Sequence, residues 1–213
     1  MTSLLDQLTA VAAGMFVLVA LLTIQTRDRS AAVERTVSDV AQSQAAAVAD
    51  VLAQEFDNVL SEQMALAELG AYRCSLTRDA AGEMTTVVDL PAYVRTVRGG
   101  AVRAANVRYQ LVAAGRTVTV GAVQKPVYRL TRQVDAGTAA TVADGVVDFD
   151  VKFRGRALET FAGAPPLRFS QIAFQIVVAG QPPRPRPGQA RTRQTNTARA
   201  VFTIRPPNLT PTV

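Results

Sequence analysis

The sequence contains no histidine and a single cysteine, and aromatic residues make up only 6% of its 213 residues. Without histidine there is no imidazole for acid–base catalysis or metal binding. One cysteine permits neither an internal disulfide nor a Cys/His metal site within a chain. These absences exclude most familiar enzyme chemistries, so we expect a protein that is not an enzyme and that needs no cofactor.

Helix-breaking residues are also missing from the first third of the chain. No proline precedes Pro91, and no glycine lies between Gly14 and Gly70. With 48% hydrophobic and 19% charged residues the chain is in the globular range, and its length suits one domain plus a long helix or tail. Charge is divided unevenly, because residues 1–69 carry a net charge of −6 and residues 70–213 carry +12.

Residues 1–25 form an apolar segment. From Leu4 to Ile24 the chain reads LLDQLTAVAAGMFVLVALLTI, without charge after Asp6. A helix of about 20 such residues spans roughly 30 Å, the thickness of the hydrocarbon layer of a bilayer. A secretory signal peptide starts with basic residues, whereas Met1–Ala20 has none, so we expect no cleavage after this segment. The segment therefore predicts a membrane-embedded or filament-core helix.

Residues 26–69 continue this helix with an amphipathic pattern, so that one helix is expected from about Ser3 to Leu69. Its apolar stripe comprises Val33, Val37, Val40, Val48, Val51, Leu52, Phe56, Val59 and Leu60. Such a rod is on the order of 100 Å long, more than a small domain covers. Its uncovered half requires a membrane or further copies of the chain.

Residues 70–213 predict an antiparallel sheet domain, the head. Residues 70–84 read as a loop, and β-branched runs follow at 85–90, 107–114, 116–123, 126–134, 145–153, 170–178 and 198–204. Val147, Phe149, Val151 and Phe153 alternate with polar neighbours, as do Ile172, Phe174, Ile176 and Val178, which indicates one buried face. Residues 181–197 form a Pro/Arg-rich loop. The fold class is α+β, with a long N-terminal helix packed on a small antiparallel sheet.

This arrangement resembles the type IV pilin superfamily, including pseudopilins and most closely the larger minor ones. Removal of Met1 places Asp6 at the position of the carboxylate found near the processed end of mature pilins, and Gly14 matches a mid-helix glycine. The start is either processed from a longer precursor or used uncleaved. The resemblance implies that the apolar helix carries the assembly residues. They are Leu4, Leu5, Asp6, Leu8, Val11, Gly14, Phe16, Leu18, Leu21 and Leu22.

The resemblance further implies a structural subunit of a pilus-like or pseudopilus-like filament. Its partners are then copies of itself or other pilin-like subunits, with an assembly platform and an ATPase. Such a subunit resides in the inner membrane before assembly and in an extracellular filament afterwards. However, Arg27 and Arg29 follow the apolar segment, and positive charge on that side favours a cytoplasmic head. The alternative is a single-pass tethering module whose basic head binds an anionic ligand or an envelope partner.

Several residues admit other roles. Arg184, Arg186, Arg191, Arg193 and Arg199 are the candidate contacts for a nucleic acid or another polyanion, although basic heads packed on acidic helices of neighbouring copies also balance the charge. Asp148 and Asp150 share one side of a strand and are the candidates for a metal or hydrolytic site; a solvated face beside Arg154 and Arg156 is the favoured interpretation. Cys74 is either a loop residue, a reactive thiol or a bridge between subunits.

The first prediction concerns Asp6, whose carboxylate in apolar surroundings costs several kcal/mol unless it is paired, for example with a neighbour's N-terminal amine. Asp6→Ala is expected to block assembly while the head stays folded. If Asp6 only favours the first turn of the helix, the variant assembles normally. Electron microscopy of sheared material, with circular dichroism of the purified chain, separates the two.

Overall fold

The computed structural model describes residues 2–95, 100–154, 170–180 and 196–209, with side chains from residue 14 onward. The chain is α+β, as predicted. Within these described residues, two helices, α1 (Thr2–Asp57) and α2 (Glu62–Leu69), precede seven strands. The strands are β1 (Ser75–Arg78), β2 (Thr85–Arg95), β3 (Val102–Val120), β4 (Val123–Val134), β5 (Ala140–Arg154), β6 (Gln171–Ala179) and β7 (Thr197–Ile204).

The strands form one sheet in chain order, and every neighbouring pair is antiparallel. Two expectations need correction. Residues 70–84 are not all loop, because Ser75–Arg78 forms a strand that pairs with β2. The turn between the two strands is held by the Asp79 carboxylate, which accepts hydrogen bonds from the backbone N–H groups of Glu83 and Met84. Residues 107–120 are one strand and not two, because an irregularity at Gly115, whose φ is +69°, bends β3 without ending it.

Helix α1 ends at Asp57, so the expected continuous helix to Leu69 is wrong. The side chains of Val59 and Leu60 are fully buried, and their backbone joins the sheet instead of the helix. The Leu60 N–H donates to the Pro91 carbonyl at 2.9 Å, and the Asn58 carbonyl accepts from Tyr93 at 2.9 Å. Ser61 then caps α2. Tertiary burial thus overrides a local sequence with no helix breaker.

Helix α1 packs one side against the inner face of the sheet, the face that carries Leu90, Tyr109, Leu130, Phe149 and Phe174. Part of the predicted stripe is confirmed, since Val48, Leu52 and Phe56 are buried and Val37 is half-buried. Val33, Val40 and Val51 are exposed instead. Their places in the contact are taken by three small side chains, Ala41, Ala45 and Ala49.

The small side chains allow a close approach between α1 and the end of β6. A Cβ added to Gly180 lies 2.7 Å from Val37 Cγ1 and 2.9 Å from the Val37 carbonyl oxygen. Larger residues in the helix stripe or at Gly180 force the two elements apart, because a packed interior has little free space. The position of the alanines therefore determines which side of α1 is buried, whereas the sequence analysis inferred that side from the valines.

Phe56, near the end of α1, anchors the core. Its ring makes edge-to-face contacts with Tyr109 at 5.7 Å and with Phe174 at 5.3 Å between centroids. The preceding residue, Glu55, forms an ion pair of 2.7 Å with Arg132 of β4. Burial raises the pKa of Glu55, and the bond and charge of Arg132 oppose that rise. The end of the helix is thus fixed by aromatic packing and by charge.

The alternation in β6 is confirmed, since Ile172, Phe174, Ile176 and Val178 are all buried. In β5 a register shift lies between Val146 and Asp148, next to Gly145 with φ of +80°. Val146 consequently joins the core on the inner face, while Val147 packs with Val127 and Ala179 in a small cluster on the other side, the outer face. The expected inward orientation of Val147 is therefore wrong.

The sheet curls until its first two strands reach β5. The Val151 N–H donates to the Thr85 hydroxyl at 3.0 Å, and Arg78 pairs with Asp150 at 2.7 Å. Beyond Val146, β5 no longer pairs with β4, and a side chain provides the hydrogen-bond partner of the Val151 N–H instead. The curl closes the inner face around the end of α1.

The second prediction tests the close approach at Gly180. Gly180→Ala is expected to lower the free energy of unfolding of the head by about 1–3 kcal/mol, because the new methyl group overlaps Val37. Gly14→Ala is the matched control, since a Cβ there meets nothing within 4 Å, and it should leave unfolding of the head unchanged. Denaturant unfolding monitored by circular dichroism measures both. Equal stabilities of Gly180→Ala and the parent chain would contradict the prediction.

Candidate assembly surface

Residues 14–29 of α1 have no cover from the head. Every described residue from Gly14 to Arg29 is exposed, and the first half-buried residue is Ser30. Phe16 is 80% exposed and Leu18 is 60% exposed. The large exposed apolar side chains of this segment are Met15, Phe16, Val17, Leu18, Val19, Leu21, Leu22 and Ile24.

These side chains surround the helix on all sides. Consecutive residues of an α-helix are separated by about 100°, so Met15 to Val19 alone cover the full circumference. A single stripe suits one partner, whereas an apolar surface all round requires several neighbours or lipid. The described segment therefore exposes apolar side chains in every direction around the helix axis.

Of the predicted assembly residues, Gly14, Phe16, Leu18, Leu21 and Leu22 lie on this uncovered segment. The other five, Leu4, Leu5, Asp6, Leu8 and Val11, lie in the first turns of α1, and their side chains are outside the described residues. Within the part of the chain that the structure describes, no helix combines the length and apolarity needed to cross a membrane.

The polar side of α1 carries exposed carboxylates. Asp28, Asp39, Asp50 and Asp57 are all exposed, and none of them forms an ion pair with another described residue. The head instead uses its own carboxylates internally. Arg103 pairs with Asp135 and Arg116 with Asp144, at 2.8 and 3.1 Å.

Arg199, one of the five predicted arginine contacts, lies exposed on the outer face of β7. It donates a hydrogen bond to the Gln175 carbonyl oxygen, and the Gln175 amide donates to Asp148 at 2.9 Å. The remaining four, Arg184, Arg186, Arg191 and Arg193, lie outside the described residues. Lys125, Arg129 and Arg205 are also exposed. The sequence analysis did not name them as candidate contacts, because strand pairing decides which side chains of a strand are exposed.

The two aspartates considered for hydrolytic or metal chemistry are held in a surface network. Asp150 binds Arg78 at 2.7 Å and Lys152 at 2.9 Å, while Asp148 accepts from Gln175. Among the described residues no group of three or more metal-binding side chains exists. The partners of Asp150 differ from the expected Arg154 and Arg156, of which the latter lies outside the described residues.

An open groove of about 790 Å³ lies beside β1. Part of its polar wall is engaged, because Arg108 Nε binds Asp89 at 2.6 Å and Ser75 binds the other oxygen of the same carboxylate at 3.1 Å. The buried side-chain oxygen of Asn106 has no hydrogen-bond partner among the described residues. Cys74 in this groove is only 3% exposed. Burial raises the pKa of its thiol to about 12, although a hydrogen bond with Tyr72 opposes the shift. These groups offer no activated nucleophile.

Comparison with solved structures finds a type IV-like pilin from Thermus thermophilus, with 15% sequence identity and a TM-score of 0.48. The match covers 78% of this chain and 97% of that chain. No protein-family model and no curated protein matches the sequence.

The third prediction concerns Cys74, because a thiol with a pKa near 12 is almost entirely protonated at neutral pH. Alkylation by iodoacetamide at pH 7.5 is expected to be at least about 100-fold slower in the native chain than in the chain unfolded in urea. Mass spectrometry of timed samples measures the rate. Rapid native alkylation, or a disulfide between copies, would contradict the buried position.

Proposed function

We propose that this chain is the structural subunit of a pilus-like or pseudopilus-like filament. The observation that supports the proposal is the apolar segment at residues 15–24 of α1, which is exposed all round while the second half of the helix is packed on the head. In a filament, the first halves of many copies pack together along the axis and the heads lie outside. Each apolar side chain then exchanges water for contacts with neighbouring helices.

The free energy available from this burial is large. Eight large apolar side chains are 52–80% exposed between Met15 and Ile24. At about 25 cal/mol per Å², their burial contributes on the order of 10 kcal/mol per subunit relative to water. This is of the order of the folding stability of an ordinary domain. An isolated subunit in water therefore has a strong tendency to associate.

A membrane-embedded stage before assembly forms part of the proposal and rests on the apolar sequence from Leu4 to Ile24. Lipid covers the same side chains that the filament covers later, so transfer from lipid to filament gains little hydrophobic free energy. Growth then requires work, which the resemblance assigns to an ATPase acting through an assembly platform. The filament itself is extracellular in this scheme.

The second candidate is a membrane-tethered binding module, in which the same apolar helix stays in lipid. It is favoured by the net charge of +12 on residues 70–213, which suits an anionic ligand or a nucleic acid. This candidate requires no contact between copies. The two functions therefore differ in whether the helix is covered by protein or by lipid.

The fourth prediction tests the filament directly. Material sheared from producing cells should contain filaments that include this chain, as seen by electron microscopy and mass spectrometry. Leu18→Asp, which places a charge among packed apolar helices, is expected to abolish filaments because an unpaired buried charge costs several kcal/mol. Val123→Asp is the matched control, since Val123 is 59% exposed at the end of a hairpin and lies outside the helix.

Filaments from the parent and from Val123→Asp, with none from Leu18→Asp, would support the proposal. Parent protein that remains monomeric in the membrane fraction would overturn it in favour of the tethering module. In both variants the head should unfold at the parent temperature, because neither site lies in the core.

A further inference from the structure

Two oppositely charged surfaces lie on opposite sides of the two-layer body formed by α1 and the sheet. The helix covers the inner face of β6 and β7, so its polar side points away from the sheet. The outer face of β7 points in the other direction, because strand residues alternate between faces. Ala200 and Phe202 contribute to the core, and Arg199 and Val201 therefore lie outward.

The helix surface is an acidic stripe formed by Asp28, Asp39, Asp50 and Asp57. Eleven residues are slightly more than three turns of a helix and seven are slightly less than two, so these positions fall within about 40° of one another. The stripe faces roughly 120° away from the buried alanines. Arg35 lies on the same side and offsets one of the charges. All four carboxylates are exposed, and none is paired within the described residues.

The opposing surface is a basic patch formed by Arg199 and Arg205, with the exposed Val201 between them. Val201 is 56% exposed. Arg199 contacts the side chain of Gln175, and Arg205 lies against the amide of Gln171. Neither arginine meets a carboxylate among the described residues. Amide contacts orient the guanidinium groups and leave their charge uncompensated.

We propose that the basic patch of one copy packs on the acidic stripe of α1 of a second copy. The inference rests on the proposed filament, in which copies are already brought side by side by their apolar helices. A second copy of this chain offers an oppositely charged surface to both the patch and the stripe. A nucleic acid or an anionic lipid pairs only with the patch and leaves the acidic stripe without a partner.

The position of the two surfaces sets the type of assembly. Different surfaces meet in this contact, so it is heterologous, and the pair retains one free surface of each kind, the stripe of one copy and the patch of the other. A heterologous contact whose rotation does not close into a ring continues as an open helical array. The contact therefore gives the filament a direction and a register that non-directional apolar burial does not supply.

The fifth prediction reverses the two surfaces in the full-length chain. Arg199→Glu with Arg205→Glu, and separately Asp39→Arg with Asp50→Arg, are each expected to lower the amount of sedimentable filament about tenfold at 50 mM salt, because attraction becomes repulsion. Combining all four substitutions should restore the parent amount to within about twofold. Arg73→Glu with Arg95→Glu is the matched control, with an equal change of charge outside the patch, and should assemble normally.

A cysteine pair provides a second measurement that tolerates small losses of stability. Asp50→Cys with Arg199→Cys should form disulfide-linked ladders of many copies under mild oxidation, while each single variant reaches no more than a dimer. Asp50→Cys with Arg73→Cys is the control pair. Parent filaments without ladders and without an effect of charge reversal would overturn this contact and leave the proposed filament intact. Absence of parent filaments would overturn the proposed function itself.

Discussion

The close contact between one side of α1 and the inner face of β6 and β7 determines the rest of the structure. Small side chains at Ala41, Ala45 and Ala49, with Gly180 opposite, bring the helix against the strands. Phe56 then reaches Tyr109 and Phe174 at the centre of the curled sheet. The sheet covers only the second half of this helix of 56 residues, and the described side chains of the first half, residues 14–29, have no cover.

The two halves of this one helix therefore have different surroundings. Its second half buries one side against the sheet and presents carboxylates, with Val33, Val40 and Val51, to water, whereas residues 15–24 expose apolar side chains on every side. No rearrangement of the head covers both, since the helix is about 84 Å long at 1.5 Å per residue. The need for an external apolar partner is thus a consequence of length and pattern, and the proposed filament meets it with copies of the same helix.

The sequence predicts the α+β fold, the long helix, the antiparallel sheet and the burial of Phe56 and Phe174, because each depends on composition or on a simple period. It does not predict the end of α1 at Asp57, since Val59 and Leu60 continue the helical pattern and leave the helix only to join β2. It also assigns Val147 to the wrong face, because one extra residue in β5 reverses the alternation. The basic patch on the outer face also cannot be predicted from the sequence, because it depends on how the strands pair.

The distribution of ion pairs separates internal from external roles for charge. The carboxylates of the head at Asp89, Asp135, Asp144 and Asp150 are engaged by its own basic groups, so they stabilise strand pairing locally. Most carboxylates on the exposed side of α1 have no such partner in the described residues, and neither does Arg199. Isolated surface charges cost little in a monomer, because water solvates them well. In the proposed filament, their placement on opposite sides of the body lets them pair between copies that the apolar helices hold side by side.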